Sequence, residues 1–161
     1  MTTIFISIPW FHPAYKAGGP VQSVANLVNN FTEEVTYKIF CGNTDLDNMP
    51  LAHIETGKWV KYNEHTQVWY AGTHNRSETL LAQVKKTKPD ILYIIGIYSW
   101  YFNVVPLIFC KDVKKIVSAR GMLHPGALSE KALKKKVFLS AWKLSGLQKK
   151  ASFHASDDTE K

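Results

Sequence analysis

The chain has 161 residues, 45% of them hydrophobic and 20% charged, and a formal net charge of +7 at neutral pH. That composition fits one globular domain with a real core, and the sequence shows neither internal repeats nor low-complexity segments. The first residues lack a basic-then-apolar leader pattern, and the longest apolar stretch, 91–110, is broken by Gly96, Ser99, Asn103 and Pro106, so neither a signal peptide nor a membrane span is expected.

In chain order, Ile4, Phe5, Ile6 and Ile8 form an apolar run that reads as a strand and ends at Pro9. A loop follows and closes on Gly18-Gly19-Pro20, after which Val21, Val24, Ala25, Leu27, Val28 and Phe31 recur at helical spacing. Pro20 suits a first helical turn, where its missing N–H costs nothing. A helix N-terminus left uncovered by two glycines favours an anion, with phosphate the obvious candidate. The competing reading is a tight turn that merely joins strand to helix. The pattern is neither G-x-G-x-x-G nor a G-K-[ST] phosphate loop, so a generic NAD or ATP site is not supported.

Residues 35–41 read as the next strand and 42–57 as a long polar excursion. Residues 58–62 and 66–71 alternate around Asn63-Glu64-His65 as short strands or a hairpin. A helix is expected over 77–86 with Ser77 as its N-cap. Pro89-Asp90 then opens 91–95, a continuous apolar run typical of a strand covered on both faces. A helix is expected over 98–110, with Pro106 disturbing its last turn; 114–119 is a strand, 129–147 a basic helix and 151–155 a final strand. Ser156-Asp157-Asp158 looks like the start of another helix, so the chain reads as cut inside a longer protein. Strands alternating with helices define an α/β fold with a mostly parallel sheet, in which 4–8, 91–95 and 114–119 are expected as neighbouring central strands. Cys41 and Cys110 each border an apolar run without metal-like partners; they read as buried free thiols, consistent with a cytoplasmic location, and no metal site is expected.

Ligands of such sheets bind at the carboxyl ends of the strands, which selects the loops 9–19, 42–45, 96–100, 119–126 and 155–158. The segment 118–129 holds the best polar cluster. Arg120 leaves a strand end with a fork of donors suited to a phosphate or carboxylate, Gly121 permits an unusual turn beside it, and His124 precedes Pro125-Gly126. Plainer roles are an ion pair of Arg120 with Asp90 or another carboxylate, and a surface or capping histidine at 124. Tyr98 and Trp100 are the aromatic candidates of the 96–100 loop. Between Ser129 and Lys150 there are seven lysines and one acid, Glu130, which leaves the rest of the chain close to neutral. Leu133, Val137, Ala141 and Leu144, with Phe138 and Trp142, read as one apolar face flanked by those lysines. That is either a core-facing helix with a solvated basic side or a basic surface for anionic lipid headgroups. RNA ranks low because Trp142 lies within the apolar stripe.

The order Ser118-Ala-Arg-Gly-Met-Leu-x-Pro-x-Ala-Leu-Ser129, then a lysine-rich helix, then Ala151-Ser-Phe-His-Ala-Ser156 with acids after it, resembles the N-terminal half of a bacterial family-4 glycosyltransferase. Gly18-Gly19-Pro20-Val21 and Pro89-Asp90-Ile91 are similar to the same family, so the likeness runs along nearly the whole chain. The resemblance implies one half of a two-domain GT-B architecture, Rossmann-like, with the acceptor held by this half and the nucleotide-sugar by a C-terminal domain carrying paired glutamates. It implies that Gly18 and Gly19 approach the donor diphosphate or the acceptor. It places Arg120 as the catalytic candidate, near where such enzymes set a polar residue facing the transferred sugar and many relatives carry a histidine. Tyr98, Trp100 and His124, from the strand-end loops, are the candidate acceptor contacts. The implied activity is retaining transfer from a nucleotide-sugar, a co-substrate rather than a cofactor, to a glycan or lipid-linked acceptor in surface polysaccharide synthesis. Peripheral contact of 129–150 with an anionic membrane at its cytoplasmic face fits that role, and no nucleic acid partner is expected. Without the donor half, these 161 residues are expected to be inactive. The alternative function is a stand-alone α/β module that binds an anionic small molecule without catalysis.

Overall fold

The computed structural model describes residues 1–30, 34–74, 76–122 and 132–155. Its strands are β1 (Thr2–Ser7), β2 (Val35–Gly42), β3 (Trp59–Lys61), β4 (Thr66–Ala71), β5 (Ile91–Ile95), β6 (Lys114–Ser118) and β7 (Ser152–His154). They form one sheet in the order β3-β4-β2-β1-β5-β6-β7. Every neighbouring pair is parallel except β3 with β4, which run antiparallel as the alternating segments around Asn63 suggest. The helices are α1 (Gly19–Asn29), α2 (Arg76–Thr87), α3 (Val105–Phe109) and α4 (Ala132–Leu144). This is a Rossmann-like α/β fold, with β1, β5 and β6 as adjacent strands.

The sheet is covered on both faces, and strand alternation assigns each residue to one of them. On one face Phe5, Phe40, Leu92, Ile94 and Val117 pack with Leu80 and Val84 of α2, Leu107 of α3 and Trp142 of α4. On the other, Ile6, Ile39, Val68, Tyr93 and Ile95 pack with Val24, Ala25 and Val28 of α1. Burying each large aliphatic side chain stabilises the fold by roughly 1.5–3 kcal/mol. From β1 the chain winds outward through β2 and β4, then returns through α2 to β5 on the other side of β1 and winds outward again. The reversal lies between β1 and β5, and such a switch point leaves a crevice at the carboxyl ends.

Several local expectations are corrected. Residues 98–110 are not one helix. Ser99 caps a wide turn over Trp100–Val104, its hydroxyl accepting from the Phe102 N–H at 3.3 Å. There Val104 and Val105 donate to the carbonyls five residues back, at Ser99 and Trp100. Pro106 then sits in the first turn of α3, where its missing N–H is harmless, and not in a last turn. Ser77 is not an N-cap, because α2 already begins at Arg76, whose Nε donates to the Gly72 carbonyl at 2.6 Å.

The apolar residues of α4 divide between two faces. Trp142 is buried and Phe138 and Leu139 pack against the core, whereas Leu133, Val137 and Leu144 are 77%, 62% and 89% exposed. The residues 129–131 expected at the start of this helix, and the helix expected from Ser156, lie outside the described residues. Both cysteines are free and buried, and burial pushes Cys110 up to about 11. Among the described residues no helix is long and apolar enough to cross a membrane.

Candidate functional site

Arg120 stands two residues past the end of β6 in a left-handed conformation, φ +51°. A non-glycine residue there stores strain on the order of 1–2 kcal/mol, which must be repaid by its surroundings. The guanidinium supplies the repayment. Nη1 donates to Ser23 Oγ at 2.6 Å and Nη2 to Tyr93 Oη at 3.3 Å. Tyr93 Oη in turn shares a hydrogen bond with His154 Nδ1 at 2.8 Å. One side chain past the end of β6 thus ties the middle of β5, and through Tyr93 the end of β7, to α1. Arg120 Nε is buried with no hydrogen-bond partner among the described residues. An ion pair with Asp90 is ruled out by position: Asp90 precedes β5, at the opposite end of the sheet, and accepts from the Thr3 N–H at 2.7 Å.

Ser23 lies four residues after Gly19, one turn along the same face of α1. Gly18 is the N-cap of that helix, with φ +69° and ψ −137°, and no side chain caps it. A methyl group added at Gly18 or Gly19 would meet nothing within 4 Å. Arg120 and the Gly18-Gly19 helix end are therefore brought to one side of the sheet, with open space above the glycines. A positive helix terminus and a guanidinium are the kinds of group that anion sites use, and here both lie along α1.

The other candidates are placed differently. The Tyr98 hydroxyl donates to the Met122 carbonyl at 3.4 Å, and its ring lies 5.3 Å from that of Phe138 under Lys135. Burial raises its pKa. Tyr98 thus borders the same 119–122 turn but serves as packing for α4. Trp100 is 58% exposed on the wide turn. His124 lies outside the described residues.

The loop after β1 is pinned by Asp45, 8% exposed, which accepts from the backbone N–H groups of Lys16 at 3.2 Å and Leu46 at 2.7 Å. Within this loop His12 packs among Phe11, Tyr15 and Tyr62, and its Nδ1 lies 2.9 Å from Tyr62 Oη. Its carbonyl accepts from Tyr70 Oη at 2.7 Å, its Nε2 is buried without a partner among the described residues, and burial lowers its pKa.

Sequence reasoning therefore missed Ser23, Tyr93, His154 and His12. His12 lies on a strand-end loop and His154 closes the last strand, so the rule that selects carboxyl ends could have found them. Tyr93 sits inside an apolar run and Ser23 inside a helix, and neither carries a sequence signal. Two grooves, of about 610 and 630 Å³, lie at the other end of the sheet, around Pro89 and Val113 and around Thr3 and His65. They hold none of these side chains. Among the described residues no group of three or more His, Cys, Asp or Glu could hold a metal.

The fold and site together define a Rossmann-like α/β domain with a polar network at the carboxyl edge of its sheet. No family model matches the chain, and no curated protein matches it.

Proposed function

We propose that this chain is the acceptor-side half of a GT-B glycosyltransferase, which moves a sugar from a nucleotide-sugar to a glycan or lipid-linked acceptor. The observation that supports the reading is the position of Arg120 against α1, whose N-terminus is left open by Gly18 and Gly19. A transferring sugar needs charge stabilisation of its departing diphosphate, and a guanidinium beside an uncapped helix end supplies it. In this role Arg120 faces a phosphate or sugar oxygen, and Gly18 and Gly19 allow close approach. Tyr98, Trp100 and His124 contact the acceptor. The nucleotide is held by a second domain, and the work is done at the cytoplasmic face of a membrane.

The test is radiolabel transfer from UDP- and GDP-sugars to glycan and lipid-linked acceptors, with the 161-residue chain alone and with the longer product of its reading frame. No transfer by the first and transfer by the second are expected. Turnover by the 161 residues alone refutes the division of labour. Anion binding by the longer product without any transfer selects the stand-alone binding module instead.

A further inference from the structure

Helix α4 presents two apolar stripes, and the core accounts for only one. At about 100° per residue, Leu133, Val137, Ala141 and Leu144 share an arc of about 80° on the side away from Trp142. All four are exposed. Lys134 borders this arc on one side and Lys136 and Lys143 on the other, and these three are exposed as well. Lys149 and Lys150 extend the charge beyond the helix end.

From this pattern we infer that the outer face of α4 is an interfacial helix that lies flat on an anionic lipid surface, its aliphatic arc in the acyl boundary and its lysines among the headgroups. The choice of occupant follows from charge and shape. A second copy would bring lysines against lysines. A nucleic acid offers phosphates but nothing for an aliphatic arc centred between the charges, and no aromatic side chain lies in that arc for a base to stack on. An anionic bilayer satisfies both components at once. The helix has 13 residues, about 20 Å of length, which suits the interface plane and is too short to span. The inference does not depend on sugar transfer.

The experiment is co-sedimentation of the 161-residue chain with vesicles of phosphatidylcholine alone or mixed in equal parts with phosphatidylglycerol. Binding to the mixed vesicles and little to the neutral ones is expected. The combined Lys134→Ala, Lys136→Ala and Lys143→Ala variant should lower the partition coefficient by about a hundredfold, since each lysine near such a surface contributes about fivefold. Val137→Glu and, separately, Leu144→Ser should weaken binding while far-UV circular dichroism and the thermal midpoint stay unchanged, because both side chains are exposed. Equal sedimentation with both vesicle types, or none with either, overturns the inference. So does unchanged binding by Val137→Glu, or size-exclusion evidence of a dimer that Val137→Glu dissolves, which would assign the face to a second copy. Displacement from the mixed vesicles by single-stranded RNA, with Leu144→Ser binding as the parent does, would assign it to nucleic acid and likewise overturn it.

Discussion

Gly96 and Gly19 are both glycines at the start of a strand-end loop or helix, and what a methyl group would meet separates them. Gly96 has φ +90°, and a Cβ there would lie 3.0 Å from Met122 Cε and 3.3 Å from Asn103 Oδ1. Gly96→Ala should lower the free energy of unfolding by about 1–3 kcal/mol, read from urea denaturation. Gly19→Ala, with open space around it, should stay within about 0.5 kcal/mol of the parent. Gly19→Val should likewise leave the domain folded, yet block a ligand that approaches the helix end. Arg120→Ala removes the bonds to Ser23 and Tyr93. Under the proposed transferase role, loss of a charge-assisted bond to substrate should lower kcat/KM roughly tenfold to a hundredfold, from about 1.5–3 kcal/mol. If kcat/KM is unchanged while the thermal midpoint falls, Arg120 is a brace between β6 and α1 and touches no substrate.

The wide turn Trp100–Val104 depends on one buried amide. Asn103 is 1% exposed; its Oδ1 accepts from the Ser99 N–H at 2.9 Å and its Nδ2 donates to the Ile95 carbonyl at 2.7 Å. Asn103→Leu has nearly the right volume but leaves two backbone groups without partners. It should cost about 2–6 kcal/mol in chemical denaturation, at roughly 1–3 kcal/mol per orphaned group. This element also shows where the sequence stops being legible. The β1, β5 and β6 strands and α1 declare themselves by apolar runs and periodicity. The turn does not, because its shape is set by Asn103 reaching back to β5, a tertiary bond that periodicity does not encode. In α4 the apolar residues encircle the helix, so a pattern of spacings alone merged the core stripe with the exposed one. At the site, Arg120 was readable as a polar residue leaving a strand, whereas its partners Tyr93 and Ser23 became polar contacts only once β5 and α1 were placed beside it.

Across the whole molecule, the loop after β1 is fastened to the β3–β4 side through His12, with Tyr62 at its ring and Tyr70 at its carbonyl. Burial depresses the His12 pKa from 6.5, so the unfolded chain takes up its proton first as pH falls. The stability tied to neutral His12 is therefore fully present above about pH 6.5 and declines as pH drops through that value toward the lower folded pKa. The thermal midpoint should fall in that window, and His12→Gln should flatten the fall; an equally steep fall in the variant would place the titration elsewhere. The sheet order has a further consequence, for the timing of folding. Thr3 meets Thr36 across a separation of 33 residues on one side and Asp90 across 87 on the other. The β1–β2–β4 half can assemble well before β5 is available, because the shorter loop closes at lower entropic cost. During that interval one edge of β1 carries unpaired backbone groups beside Phe5 and Ile6, a template on which another copy's β1 can dock. The crevice at the carboxyl ends of β1 and β5 is thus also the seam of largest sequence separation between neighbouring strands of the sheet.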